Sequence, residues 1–246
     1  MNYKIILKTS HKHTNRVDNC VNTWLSTLDY VCLTDKLTGK YPEISGSSKD
    51  DYNSNEEKTV NFINLVRTTD QFDNYDWLVF IDDDAILNIE LFESILPYLE
   101  KTKLYGYSMK GAFQKDLELD YPSGGCSYFI SPELIKTCGE MQVQGYGFED
   151  VSIGKWLQDN KIKISNKYMI GSLLHQIHLN GWFPFQKHFN DLWKEGDSYV
   201  PKMIESFTEA DVTFLRKNVT HHYIRHKPFM EYLHKLINND TAKDNN

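Results

Sequence analysis

W-L-V-F-I-D-D-D, Trp77 to Asp84, sets five consecutive apolar residues against three carboxylates. An unbroken apolar run of this length, rich in β-formers, reads as a strand buried on both faces of a sheet layered between helices. Sheets of that kind bind their ligands beyond the carboxyl ends of the strands, where these aspartates fall. Three adjacent carboxylates repel one another unless a cation, hydrogen bonds or water relieve the charge. A solvated acidic turn is one reading. A site for a hard divalent ion, Mg²⁺ or Mn²⁺, is the other, and the position directly after a buried strand favours it.

Working outward towards the N-terminus, Glu56 to Phe72 carries Val60, Ile63, Leu65 and Val66 among polar residues, a helical pattern. Lys36 to Asn55 is rich in Gly, Ser, Pro and charge and reads as a surface loop. Before it lies a β-α-β unit. Tyr3 to Lys8 is a strand. Val17, Cys20, Val21, Trp24, Leu25 and Leu28 recur at helical intervals over Arg16 to Leu28. Tyr30 to Leu33 is a second strand, stopped by Thr34-Asp35.

Towards the C-terminus the pattern gives a helix over Leu91 to Leu99, short strands over Leu104 to Phe113, and a Gly-interrupted strand region over Tyr121 to Ile130. Ser131 as N-cap and Pro132 in the first turn open another helix. Val151 to Asn160 is helical and Lys161 to Ile164 extended. Ile204 to Leu215 and Lys227 to Ile237 are helical, and the polar tail, 238–246, is frayed. With no repeat and no linker, residues 1–246 read as one α/β domain with a mostly parallel central sheet.

Composition narrows the function classes. With 40% hydrophobic and 25% charged residues among 246, the chain can bury a sizeable core. A formal net charge of −7 argues against general nucleic-acid binding. Cys20, Cys32, Cys126 and Cys138 form no CxxC pair, so they read as buried or free thiols rather than a zinc site. The N-terminus, MNYKIILKTS, does not read as a secretory leader, and no stretch approaches the length of a transmembrane helix. The expectation is a soluble, cytoplasmic protein.

Three further groups of residues could take part in chemistry. Gly145-Tyr146-Gly147-Phe148-Glu149-Asp150-Val151 places two carboxylates where a Gly-rich loop enters a helix. Alone, the pair reads more simply as a complement to the helix dipole; beside a metal site, it offers a general base. Gly124-Gly125 lets backbone approach a ligand closely, though a plain turn explains it equally well. Histidines crowd the second half: His175, His178, His188, His221, His222, His226 and His234. Trp182, Phe183, Phe185 and Trp193 could stack on a sugar, but core packing is the more economical reading.

Taken in order, these motifs resemble the Fringe-like and core-1 galactosyltransferase-like family of inverting β-1,3-glycosyltransferases, over roughly Ile5 to Ile237. The resemblance rests on Thr23-Trp24, Thr34-Asp35, Lys58-Thr59, Asp76-Trp77 with Asp82 to Asp84, and Ser123-Gly124-Gly125-Cys126-Ser127-Tyr128 followed by Ser131. It continues through Glu149-Asp150-Val151 with Gly154, and Thr220 to Ile224 before an aliphatic helix. Cys126-Ser127 departs from the family's Ala-Gly. No stretch reads as the membrane anchor of the animal members, so the expectation is a bacterial or viral setting.

The resemblance implies a GT-A fold and a single-displacement transfer from a UDP-sugar to a glycan or glycosylated acceptor. It assigns Asp82, Asp84 and His222 to Mn²⁺ (or Mg²⁺), which bridges the donor's phosphates, and Asp150 to the general base. Thr9, Asp35, Lys58, Asp83, Gly124 and Gly125 fall to the donor. The Fringe type points to His175 or His178 as the metal histidine, but the tail is closer to the core-1 type, which selects His222.

Two rivals compete. A DxD phosphatase would place its nucleophile strand near the N-terminus, and Ala85-Ile86 does not suit it. A carbohydrate- or nucleotide-binding protein without catalysis is the other, opposed by the intact acidic motifs.

Overall fold

The computed structural model describes residues 1–47, 49, 54–114, 117–167 and 186–238. In chain order the strands and helices are β1 (Tyr3–Lys8), α1 (Thr14–Cys20, continued by a π-helical turn, Val21–Leu25), β2 (Tyr30–Thr34), β3 (Glu43–Ser45), α2 (Ser54–Thr68), β4 (Trp77–Asp82), β5 (Ile86–Leu87) and α3 (Ile89–Ile95). Then come β6 (Leu104–Gly106), β7 (Ser108–Gln114), β8 (Leu117–Pro122), β9 (Tyr128–Ile130), α4 (Pro132–Thr137), α5 (Glu149–Asp159) and β10 (Ile164–Ser165). The last are α6 (Gln186–Glu195), α7 (Val200–Glu205), α8 (Glu209–Lys217), β11 (Thr220–His221) and α9 (Lys227–Asn238).

Seven strands form the central sheet in the order β10-β6-β9-β4-β1-β2-β3. All neighbours are parallel except β9, which runs antiparallel to both β4 and β6. The period-two pleat divides each central strand between two cores. Trp77, Val79 and Ile81 of β4, with Ile5 and Leu7 of β1, enter the core formed with α1, α3 and α9. Leu78, Phe80 and Ile6 enter the opposite core with α2, α4 and α5. All of these side chains are fully buried. Each contributes about 1.5–3 kcal/mol of transfer free energy, which explains why this run is apolar at every position.

Three local details position the end of β4 and the elements around it. The β7–β8 hairpin lies against α5, and Gly154 permits the contact: a Cβ there would sit 2.5 Å from Tyr121 Cβ and 2.7 Å from the Asp120 carbonyl oxygen. Ser131 caps α4 by accepting from Leu134 N at 3.0 Å, with Pro132 in the first turn, as the sequence indicates. The short β11 pairs antiparallel with β5, Thr220 opposite Leu87 and His221 opposite Ile86, which carries the C-terminal segment back to the end of β4.

Some element boundaries differ from the sequence reading. The expected loop Lys36 to Asn55 contains β3, whose three residues pair with β2; so short a strand between polar flanks has no periodic signal. The expected helix Ile204 to Leu215 is two helices, because Thr208 and Asp211 form a reciprocal capping box that starts α8 afresh. All four cysteines are free and buried. No helix among the described residues is long and apolar enough to cross a membrane.

Candidate active site

β4 ends in a tight turn, with Ala85 N donating to Asp82 O at 3.1 Å and Asp83 N donating to Lys8 O at 3.1 Å. The turn sends the three aspartates in different directions. Asp83 points into the space between β1 and α1, where Thr9 Oγ1 (2.7 Å) and Arg16 Nη1 (3.2 Å) donate to it and His13 Nδ1 lies 3.4 Å away. Asp82 and Asp84 face the C-terminal segment instead. His222 Nε2 lies 3.1 Å from Asp84 Oδ1 and 3.5 Å from Asp82 Oδ2, and Arg225 Nε donates to Asp84 Oδ2 at 2.8 Å.

Burial alone would push His222 down, but the two carboxylates outweigh it and raise the imidazole to about 9. Asp84 is held well below the ordinary carboxylate range: burial works against this, and His222 and Arg225 overcome it. One ligand atom from each of Asp82, Asp84 and His222 lies within 4.8 Å of the others. The buried His222 Nδ1 has no hydrogen-bond partner among the described residues. Two carboxylate oxygens and an imidazole nitrogen converging this closely suit Mn²⁺ or a similar divalent ion, so the residues fit the metal that the motif order implies.

Gly125 makes room for the histidine. A Cβ at this position would sit 2.0 Å from His222 Cε1, closer than any side chain tolerates. The backbone here is also unusual. Ser127 has φ 68° and ψ 154°, a region that is essentially glycine's, and Tyr223, next to His222, has φ 63°.

The base candidate lies across a lysine from this cluster. Asp150, in the first turn of α5, accepts from Gly124 N at 3.2 Å and from Val151 N at 2.9 Å. Burial, followed by the adjacent Glu149, raises Asp150 to about 7. Lys8 Nζ is buried between the two acidic groups, 2.9 Å from Asp82 Oδ1, 2.5 Å from Glu149 Oε1 and 3.1 Å from the Gly124 carbonyl oxygen. Burial opposes the charge on Lys8, yet Asp82 and Glu149 hold its pKa well above the usual value.

A cavity of about 390 Å³ opens over the group Asp82, Asp84 and His222, lined by Lys8, Thr9, Lys58, Asp82, Asp83, Asp84, His222 and Arg225 among others. Lys58 Nζ donates to the Thr9 carbonyl oxygen at 2.7 Å, and burial lowers its pKa. Of the residues singled out in the sequence, Thr9, Lys58, Asp82, Asp83, Asp84 and His222 thus line one cavity, while Gly125 packs against His222 and Gly124 contacts both Lys8 and Asp150. Asp35 lies outside the cavity wall at the end of β2. His11 binds it through N and Nδ1 at 3.1 and 2.5 Å, which outweighs burial and lowers it to about 2.

Among the other histidines, His221 faces inward onto the Leu215 carbonyl oxygen at 2.8 Å, and His188 lies between Tyr199 and Ser206. His175, His178, Trp182, Phe183 and Phe185 lie outside the described residues. Trp193, read as core, is 71% exposed: it sits on the outer face of α6.

Sequence reading missed Lys8, Arg16 and Arg225. For Lys8 no local signal existed: only the parallel pairing of β1 with β4 sets Lys8 beside Asp82. Arg16 and Arg225 carried none, because isolated arginines on a helix or loop are ordinary surface residues.

Residues 3–143, more than half of the chain, match the Fringe-like family. The chain belongs to the Fringe-like family. It is the glycosyltransferase family to which the motif order pointed. No curated protein matches this Fringe-like chain in sequence. Among solved structures it is similar to the galactosyltransferase LgtC in complex with donor and acceptor sugar analogues, with TM-score 0.50 and 9% identity over 96% of this chain and 95% of that one. A glycosyltransferase involved in glycosylation of the major capsid of PBCV-1 gives TM-score 0.49 and 9% identity, over 95% of this chain and 98% of that one. At 9% identity the likeness to LgtC speaks for fold alone, and that fold is GT-A.

Proposed function

We propose that this Fringe-like protein is a metal-dependent inverting glycosyltransferase. It moves a hexose or N-acetylhexosamine from a UDP-sugar to a hydroxyl of a glycan or glycosylated acceptor, forming a β-1,3 linkage. The observation that carries this reading is the convergence of Asp82, Asp84 and His222 at the carboxyl end of β4, on the wall of a cavity that also presents cationic side chains. Asp82, Asp84 and His222 would hold the ion. When bound, it supplies positive charge against the donor's two phosphates.

The chain's own residues do the rest. Thr9 and Lys58 shape the donor cavity from β1 and α2. Arg16 and Arg225, each paired with an aspartate of the cluster, offer guanidinium groups to phosphate oxygens. Asp150, as carboxylate, takes the proton of the acceptor hydroxyl. The acceptor oxygen bonds to the anomeric carbon as the bond to the UDP oxygen breaks, from the opposite face, so the configuration inverts. Burial of Asp150 supports this role, because a carboxylate raised to about 7 is a stronger base than one in water.

The test is a panel of UDP-galactose, UDP-N-acetylglucosamine and UDP-glucose with Mn²⁺ or Mg²⁺, reading UDP release with and without glycan acceptors. Release that requires the ion and rises with an acceptor is expected. Ion-dependent UDP binding with no release from any donor would instead favour a nucleotide-sugar-binding protein, and neither binding nor release would refute the reading altogether.

A further inference from the structure

Glu56 lies in the first turn of α2, where an acidic residue ordinarily faces water and complements the helix dipole. Here it is 2% exposed. Its carboxylate reaches across to the segment that leads into α5. Oε1 accepts from Gln144 N at 2.6 Å, Gly145 N at 3.0 Å and Ser152 Oγ at 2.6 Å, and Oε2 accepts from Gly147 N at 3.0 Å. Three of these donors are backbone amides in four consecutive residues, and Gly145 (φ 77°) and Gly147 (φ 73°) supply the left-handed turns that aim them at one carboxylate. The fourth is a side chain within α5.

A buried carboxylate bound in this way fixes the loop on both sides of the step into the helix. The loop ends at Phe148, and the next two residues are Glu149 and Asp150. Phe148 occupies the N-cap position of α5, and its phenyl ring carries no oxygen that could cap the helix. Two residues on from Glu56, Lys58 lines the donor cavity from the same helix.

We propose that Glu56 is a positioning residue that sets the distance between Asp150 and the donor, by clamping the 144–147 loop and α5 to the helix that forms part of the donor cavity. The inference rests on the role proposed above for Asp150.

Glu56→Gln keeps the shape but puts an NH₂ group opposite backbone N–H donors, and Glu56→Ala removes all four acceptor bonds. The full chain is compared with both, and with Glu57→Gln as a neighbouring charge control whose carboxylate bonds to Ser47 instead. Amide hydrogen exchange across 144–152 should accelerate about 100-fold in the Glu56 variants and not in Glu57→Gln. Transfer kcat should fall about 10- to 100-fold, as expected for an ångström-scale shift of a reacting group, while the Kd and stoichiometry of UDP binding with Mn²⁺ stay within about twofold.

Unchanged exchange overturns the clamp. Faster exchange with unchanged kcat overturns the positioning role. Loss of UDP binding in step with kcat also overturns it, since that is general loss of structure. If Glu56→Ala does not fold, Ser152→Ala removes a single contact and should give an intermediate effect; no effect on exchange or kcat counts against the proposal. A wild-type chain that binds UDP and transfers from no donor removes the proposed function itself and the positioning role with it, whereas an active wild type with indifferent Glu56 variants removes only the latter.

Discussion

Gly125→Ala offers a direct test of the metal histidine, because the structure gives the size of the displacement. The added Cβ would lie 2.0 Å from His222 Cε1, 2.3 Å from Nδ1 and 2.5 Å from Nε2, so the whole ring is in its way. Restoring ordinary contact at 3.4 Å moves the ring by about 1.4 Å. His222 is buried and held at 3.1 Å from Asp84, so a shift of that size breaks the ion pair and takes Nε2 out of the metal cluster. The cost in stability is that of overpacking, about 1–3 kcal/mol, too little to unfold a typical domain. The cost in metal affinity should be about 10- to 100-fold, comparable to disturbing the groups that orient a metal ligand. The assay is calorimetric titration of Mn²⁺ in the presence of UDP, alongside His222→Ala and Gly139→Ala. Gly139 is a fair control, because a Cβ there meets its nearest neighbour at 3.7 Å. Gly125→Ala should behave as His222→Ala does. If Mn²⁺ binds Gly125→Ala within about twofold of wild type, the assignment of His222 as a ligand is refuted.

The geometry at three other residues sets further outcomes. Asp150 must be ionised to act as a base, so kcat/KM should fall on the acid side of about pH 7, and Asp150→Asn should cost about 10²- to 10⁴-fold in transfer while keeping UDP binding. The sign for stability is the opposite of a paired carboxylate: the folded state holds this proton more tightly than the unfolded chain, so wild type should lose stability against Asp150→Asn from about pH 4 to about pH 7, as read by urea unfolding. Lys8→Met leaves Asp82 and Glu149 without their shared cation and should cost about 3–5 kcal/mol, measured in the same way; a loss below about 1 kcal/mol would show that water replaces the lysine at no penalty. Ser127→Gly should stabilise the protein by about 1 kcal/mol or more in a thermal melt, since it relieves a φ of 68° and removes a buried hydroxyl without a partner, against a smaller entropic loss in the unfolded chain.

The Ser127 strain explains a feature that was visible in the sequence only as a discrepancy. The family has glycine where this chain has Ser127, and the backbone there still takes glycine's conformation. Motif order located the strand ends and the helix starts because those positions obey local rules: buried strands are apolar throughout, caps need Ser or Thr, and close approaches need glycine. Asp82 and Asp84 at the end of β4, and Asp150 at the start of α5, fall on positions of that kind, which is why the sequence singles them out for the roles proposed above. Lys8, Glu56, Arg16 and Arg225 are not singled out in this way, because their partners lie 141, 91, 67 and 141 residues away in some of their contacts. Nothing local distinguishes a lysine that ends a buried strand from one that reaches solvent. Which it is depends on β1 lying beside β4, with β9 and α5 folding back over both.

That dependence bears on how one small region holds so much acid. Asp82, Asp83, Asp84, Glu149 and Asp150 lie around the end of one sheet, and burying them together without cations would be prohibitive. The structure meets the problem by giving the groups different counter-ions. Asp83 takes Arg16 with Thr9, Asp84 takes Arg225 with His222, and Asp82 shares Lys8 with Glu149. Asp150 receives no cation of its own, only two backbone N–H donors, with Lys8 acting on it from behind Glu149. Asp82 and Asp84 are accordingly held below the ordinary carboxylate range, while Asp150 is raised towards neutral pH. A cation paired directly with Asp150 would lower its basicity, whereas burial beside Glu149 raises it. The chain therefore separates the acids that would hold a metal from the acid that would take a proton by how directly each is paired, with Lys8 as the boundary between them.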